Sequence, residues 1–200
     1  MGESHYEADE INDGDATNEV IQRQFGEGQD VAKELERYKF LRGLERLFSG
    51  NSTLTKEGSK KFWNEVAFYN FVQFGMISSD TRPTTAQFRK SVDPFCEVAC
   101  DLKPDVIVVA SLKTWDNLPN TDGLKWELVR GELAKSPQPT IKRVLEVWCC
   151  TATHENKSHK FWCFFIPHTS APSFGAIAKW VSWRVEAFKE IDFHSSGAVI

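Results

Sequence analysis

No apolar run in these 200 residues approaches the length of about 18 that a membrane-spanning helix requires, so no membrane partner is expected. The opening stretch, MGESHYEADE, lacks the basic and apolar regions of a secretory signal and is acidic and polar instead. There is no internal repeat and no long low-complexity tract. Cysteine is scarce and its count is odd: Cys96, Cys100, Cys149, Cys150 and Cys163. Most of them sit in apolar stretches, which predicts reduced thiols in a cytoplasmic protein rather than a disulfide frame. What the chain has in quantity is aromatic side chains, with seven Trp and fifteen Phe. A composition of 41% hydrophobic residues supplies enough apolar surface for a core and excludes general disorder. The length is that of one domain.

Charge is unevenly distributed. Residues 1–30 carry nine acidic residues and one Arg, a net of −8, whereas residues 31–200 carry 19 acidic and 23 basic residues, a net of +4. The acidic total argues against a nonspecific nucleic-acid coat, yet it leaves room for a local basic surface that meets a few phosphates.

Along the chain, residues 8–30 are polar and punctuated by Gly, and they read as a long loop or insertion. From Val31 to Phe48 the positions Leu35, Tyr38, Leu41, Leu44, Leu47 and Phe48 recur at helical spacing. GNSTLTKEGSK reads as a polar connection, and Val66–Phe71 as a short buried strand. Residues 84–101 suggest one helix, with Phe88, Val92, Phe95, Val98 and Ala99 roughly on one face. Val106–Ala110 is the clearest strand, β-branched and apolar on both faces, as a buried parallel strand should be. Leu145–Cys150 and Phe161–Ile166 read as a hairpin joined by TATHENKSHK. Residues 175–190 form a last helix. The alternation predicts an α/β domain, a three-layer sandwich around a short, mostly parallel central sheet.

In such sheets ligands bind outside the carboxyl ends of the strands. The polar residues at strand ends are therefore the candidates: Gly2-Glu3-Ser4-His5-Tyr6, Asn70 in Tyr69-Asn70-Phe71, Ser111, and Pro167-His168-Thr169-Ser170. A strand running into a His and two small hydroxyl residues makes a compact polar loop whose backbone N–H groups can meet a phosphate. Each feature also has a structural reading: a lone His at a strand end is often a hydrogen-bonding prop, and an Asn in a strand is often satisfied locally.

Taken in order, these segments resemble the uracil-DNA glycosylase superfamily across nearly the whole chain. Gly2-Glu3-Ser4-His5-Tyr6 stands where that family has its first motif, a loop after the first strand. WNEVAFYN (63–70) resembles the strand that reads the base. Leu102-Lys103-Pro104-Asp105 with VIVVA resembles the third strand, and His168-Thr169-Ser170 the His-Pro-Ser loop. Three positions depart from the pattern: Ser4 replaces the usual Asp or Asn, and His5 and Thr169 replace prolines. The resemblance also implies a strand ahead of residue 2, inside the sheet, which this sequence does not contain.

The resemblance implies a role for each residue. Breaking a base–sugar bond leaves positive charge on the sugar and negative charge on the base. Glu3 would serve the sugar side, with Ser4 or His5 orienting water. Alternatively, Glu3 is one more solvated acid of an acidic N-terminus. His168 would donate to the departing base. Asn70 would pair with the base edge, because an amide both donates and accepts. Tyr6 and Phe68 would crowd or stack on the base, with Tyr69 or Phe71 as rivals for stacking. Ser170, Ser173 and Lys179 would contact the DNA backbone; Arg184 is better read as ordinary surface. No metal and no other cofactor is expected. The Cys spacing fits no iron–sulfur set, and His154 with His159 and Glu155 reads as a polar hairpin tip rather than a zinc site.

The expectation is a monomeric DNA glycosylase that hydrolyses the N-glycosidic bond of a flipped uracil, or of a damaged or modified base, in repair or in defence against modified-cytosine phage DNA. The main rival is a glycosylase-like module that grips DNA or nucleotide without cleaving it. A third candidate is an unrelated α/β enzyme acting on free nucleosides.

Overall fold

The computed structural model describes residues 2–6, 39–50, 54–76, 82–137, 141–169 and 177–195, and of residues 2–6, 74–76 and 193–194 the backbone alone. The expected 8–30 insertion and the 31–38 part of the first helix lie outside the described residues. The order is β1 (Gly2–Tyr6), α1 (Lys39–Ser49), α2 (Lys56–Glu65), β2 (Asn70–Met76), α3 (Thr85–Lys90), α4 (Val92–Leu102), β3 (Val106–Val109), α5 (Leu112–Asn117), β4 (Leu124–Arg130), β5 (Val147–His154), β6 (Lys157–Phe165) and α6 (Ala178–Ser195).

The fold is mixed α/β. Strands β1 and β2 pair in parallel, and a second sheet runs β3-β6-β5-β4. Within that sheet β3 and β6 are parallel, whereas β4–β5 and β5–β6 are antiparallel. The expectation of a mostly parallel sheet is therefore corrected to a mixed one: besides the expected hairpin, β4 adds a second antiparallel pairing, and the hairpin turn is shorter than its polar stretch implied. His154 pairs with Lys157, so only Glu155 and Asn156 turn the chain, and Glu155 takes a left-handed φ of 51°. A two-residue turn can join only antiparallel neighbours. TATHENKSHK is thus not a loop but the outer half of the ladder.

Other boundaries shift for local reasons. Thr55 caps α2 by accepting from the Gly58 backbone N–H at 3.1 Å, so the polar segment after residue 55 begins a helix. Trp63 consequently lies in α2, and the expected strand over 66–71 starts only at Asn70. The single helix expected over 84–101 divides at Ser91 into α3 and α4. Pro94 lacks an N–H and cannot continue the bonding of a preceding helix, but it fits the first turn of a new one. Gly2–Tyr6, expected as a loop, is a strand: Gly2 pairs with Asn70, Ser4 with Val72 and Tyr6 with Met76, and the register shifts between Ser4 and His5.

Burial follows the helical and strand periods. Helix α4 presents Phe95, Cys96, Ala99 and Cys100, and it is pinned to the sheet by Cys96 Sγ donating to the Gly123 carbonyl and Cys100 Sγ to the Ala152 carbonyl. Lys103, at φ 49°, closes this helix with its N–H on the Ala99 carbonyl, and Pro104 follows. Helix α6 buries Trp180, Trp183, Ala187 and Ile191. The Trp183 indole donates to the Phe165 carbonyl at 3.0 Å. Arg184, expected as ordinary surface, is half-buried and donates to the Leu47 and Phe48 carbonyls at 2.6 and 2.7 Å, satisfying the C-terminal end of α1. His154 and His159 dock the hairpin, the first beside Asp93 at 3.1 Å and the second on the Pro104 carbonyl at 2.8 Å. Among the described residues no helix is long and apolar enough to cross a membrane.

Candidate functional site

The parallel pair β3–β6 sets the site. Its ladder runs one bond past β6, from Ile166 N–H to the Val109 carbonyl at 2.9 Å. The chain then leaves the sheet as Pro167-His168-Thr169, beside Ala110-Ser111 at the end of β3. Ser111 is buried and accepts from the Thr114 N–H at 3.1 Å, which caps α5. This junction lies at the carboxyl ends of β3 and β6, the end of a parallel pair on which open α/β sheets hold ligands.

His168 is seated by α1. Its ring stacks on Phe40 at a centroid distance of 4.2 Å and an interplanar angle of 20°. Phe40 meets the edge of Phe68 at 5.9 Å, and Phe68 meets Trp63 at 6.2 Å. The Thr169 hydroxyl donates to the Phe40 carbonyl at 2.6 Å, a bond that a proline at this position has no group to make. One turn along α1, Gly43 permits the approach: a Cβ there would stand 2.4 Å from Thr169 Cβ. Burial, reinforced by the charge of Arg82, lowers the His168 pKa to about 4. The imidazole is therefore neutral at pH 7, with one N–H to donate and one nitrogen to accept.

Behind this cluster lies a buried acid. Glu45 is 1% exposed and accepts from Ser59 Oγ at 2.5 Å, Trp63 Nε1 at 2.6 Å and Arg42 Nη1 at 2.8 Å. Three donors on one carboxylate clamp α1 to α2 and fix the helix that carries Phe40.

At the start of β2, Asn70 is buried, and its carbonyl accepts from the Gln73 amide. Tyr69 packs on Phe95 at 6.0 Å; its hydroxyl is buried with no hydrogen-bond partner among the described residues, and burial first, with Cys96 and Glu97 adding, pushes its pKa up to about 12.

The expected site residues divide accordingly. Phe68 and His168, one hundred residues apart, are brought into one cluster by Phe40, with Asn70 two residues beyond Phe68. Lys179 is exposed in the first turn of α6. Glu3, Ser4, His5 and Tyr6 have a described backbone in β1, but their side chains lie outside the described residues, as do Ser170 and Ser173. Phe40, Gly43, Glu45 and Arg82 were missed. A signal existed for two of them: Phe40 stands on the helical stripe with Leu44 and Leu47, four and seven residues on, and a Gly inside an amphipathic helix usually marks a close approach.

Two open concavities adjoin the sheet. One, of about 780 Å³, lies over β4–β5 and includes Lys125, Trp126, Glu127 and Cys149. The other, of about 440 Å³, lies beside the end of β6 and includes Trp115 and Phe165. Among the described residues no cluster of His, Cys, Asp and Glu suits a metal ion. Compared with protein-family models, with curated proteins and with solved structures, the chain matches none.

Proposed function

We propose that this chain is a DNA glycosylase with a uracil-DNA glycosylase-like fold, which hydrolyses the bond between a flipped base and its deoxyribose. The observation that carries the proposal is the seat of His168: a neutral, desolvated imidazole at the carboxyl end of β6, stacked on Phe40 and joined through it to Phe68. As the C1′–N bond breaks, the bonding pair leaves with the base. The His168 N–H donates to the oxygen on which that charge gathers. Water adds through its oxygen to C1′, and its proton passes to an acid on the sugar side, the role assigned to Glu3. Phe68 and Asn70 frame the base, one by stacking and one by its amide. Ser170, Ser173 and Lys179 hold phosphates. No metal or other cofactor enters the reaction. Uracil is the default base, with a damaged base or a modified cytosine as the alternatives.

One observation favours the second reading, a module that binds DNA without cleaving it. Glu3 stands in strand β1 rather than in a loop beyond a strand end. Alternate residues of a strand point to opposite faces, so a strand positions an acid less freely than a loop.

The test scores abasic sites, revealed as alkali-labile breaks, on uracil-, hypoxanthine- and hypermodified-cytosine-containing DNA. Breaks made by the wild type and lost in His168→Ala and Glu3→Gln support the enzyme. Binding without breaks on every base supports the module.

A further inference from the structure

The groove of about 440 Å³ beside the end of β6 has Trp115 and Phe165, packed on each other at 5.3 Å and 40°, among its lining residues. Its rim is a short antiparallel pairing in which Lys135 bridges Val144 and Ser136 N–H donates to the Arg143 carbonyl at 2.9 Å. Lys135, Lys142 and Arg143 all line it. Arg143 is held by both oxygens of Asp116 at 2.6 Å, which fixes the rim to α5. Glu146, the acid among the lining residues, accepts from the Trp148 indole at 3.1 Å. Lys135 and Lys142 are exposed, and neither makes an ion pair among the described residues. Aromatic and cationic side chains lining one groove suit a polymer that alternates planar apolar groups with anions.

Position selects the polymer. Phe165 lines the groove and His168 follows three residues later, a chain distance of at most about 11 Å. A strand with one nucleotide at His168 therefore reaches the groove within a few nucleotides.

We propose that this groove is a subsite for single-stranded DNA flanking the nucleotide at His168, with Lys135 and Lys142 on its phosphates and a base against the half-buried Trp115. The position of the strand rests on the glycosylase proposal; the groove chemistry does not. The two lysines are surface groups, and replacing them leaves the Trp115–Phe165 packing untouched.

The experiment uses the full chain and a dye-labelled single-stranded oligonucleotide with a central uracil, its affinity followed by anisotropy over a series of salt concentrations. Lys135→Ser/Lys142→Ser is expected to weaken binding about tenfold at low salt and to lower the slope of log affinity against log salt by roughly 1.4, that of two phosphates on a single strand. Wild-type slope in the double variant overturns the subsite, as does displacement of the DNA by polyglutamate of equal charge at equal concentration. Failure of the wild type to bind the oligonucleotide overturns it as well. Abasic sites are scored in the same samples. A lysine-dependent slope without abasic sites keeps the subsite and removes the glycosylase, whereas abasic sites with an unchanged slope do the reverse.

Discussion

His168 owes its neutrality to burial, and that has a thermodynamic consequence. Its folded pKa is about 4 against an ordinary value of 6.5. Between those values the unfolded chain binds a proton that the folded chain does not, so stability falls as pH drops through this window. The full loss is about 3 kcal/mol, reached below pH 4, with no contribution above pH 6.5. Urea denaturation across that range tests it: His168→Asn should remove this part of the acid sensitivity, and parallel curves for wild type and variant would refute it. Tyr69 makes a second residue-scale case. Its hydroxyl is buried with no partner among the described residues, so Tyr69→Phe removes an unmet polar group. The variant is expected to be equal to wild type or more stable by about 1 kcal/mol, and a clear loss in thermal melting would contradict the geometry.

At the scale of elements, α1 is the seat on which the His168 loop rests. Gly43→Ala is expected to raise helix propensity by about 1 kcal/mol and to lose about 1–3 kcal/mol through the clash with Thr169. Its sharper effect falls on the loop: base release should drop more than the melting temperature does, and unchanged activity would show that α1 does not position His168. Glu45 ties α1 to α2. Glu45→Ala takes a shared carboxylate from Arg42, Ser59 and Trp63, at a cost of about 3–5 kcal/mol measurable by chemical denaturation. A loss below about 1 kcal/mol would place the carboxylate in solvent. Elements with strong periods were legible in the sequence: α1 through Leu41, Leu44 and Leu47, β3 through its β-branched run, and the pairing of β5 with β6. Strand β4 was not read, although Leu124, Trp126 and Leu128 alternate with Lys125 and Glu127 as the residues of an edge strand do. Helix α2 was hidden because a Thr cap and a Gly within four residues look like a loop until the cap bond is seen.

For the whole molecule, the sequence conveyed the class of fold and the β5–β6 hairpin, but not β4, whose antiparallel pairing with β5 makes the sheet mixed rather than mostly parallel. Of the candidate site, His168, Phe68 and Asn70 were legible in the sequence. The groups that desolvate and seat His168, Phe40 and Gly43 in α1 and Arg82 ahead of α3, are far from the His168–Thr169 loop in sequence, and their convergence is a property of the packing. At this scale the proposed reaction depends on His168 acting as a neutral donor to a departing base. The direct measurement is abasic-site formation on uracil-containing DNA as a function of pH, wild type against His168→Ala. Through the neutral range His168 itself should cause no change in rate, because it stays uncharged down to about pH 4, and the variant should be slower by about a hundredfold or more. Equal rates in the two proteins, or no abasic sites from either, would contradict it.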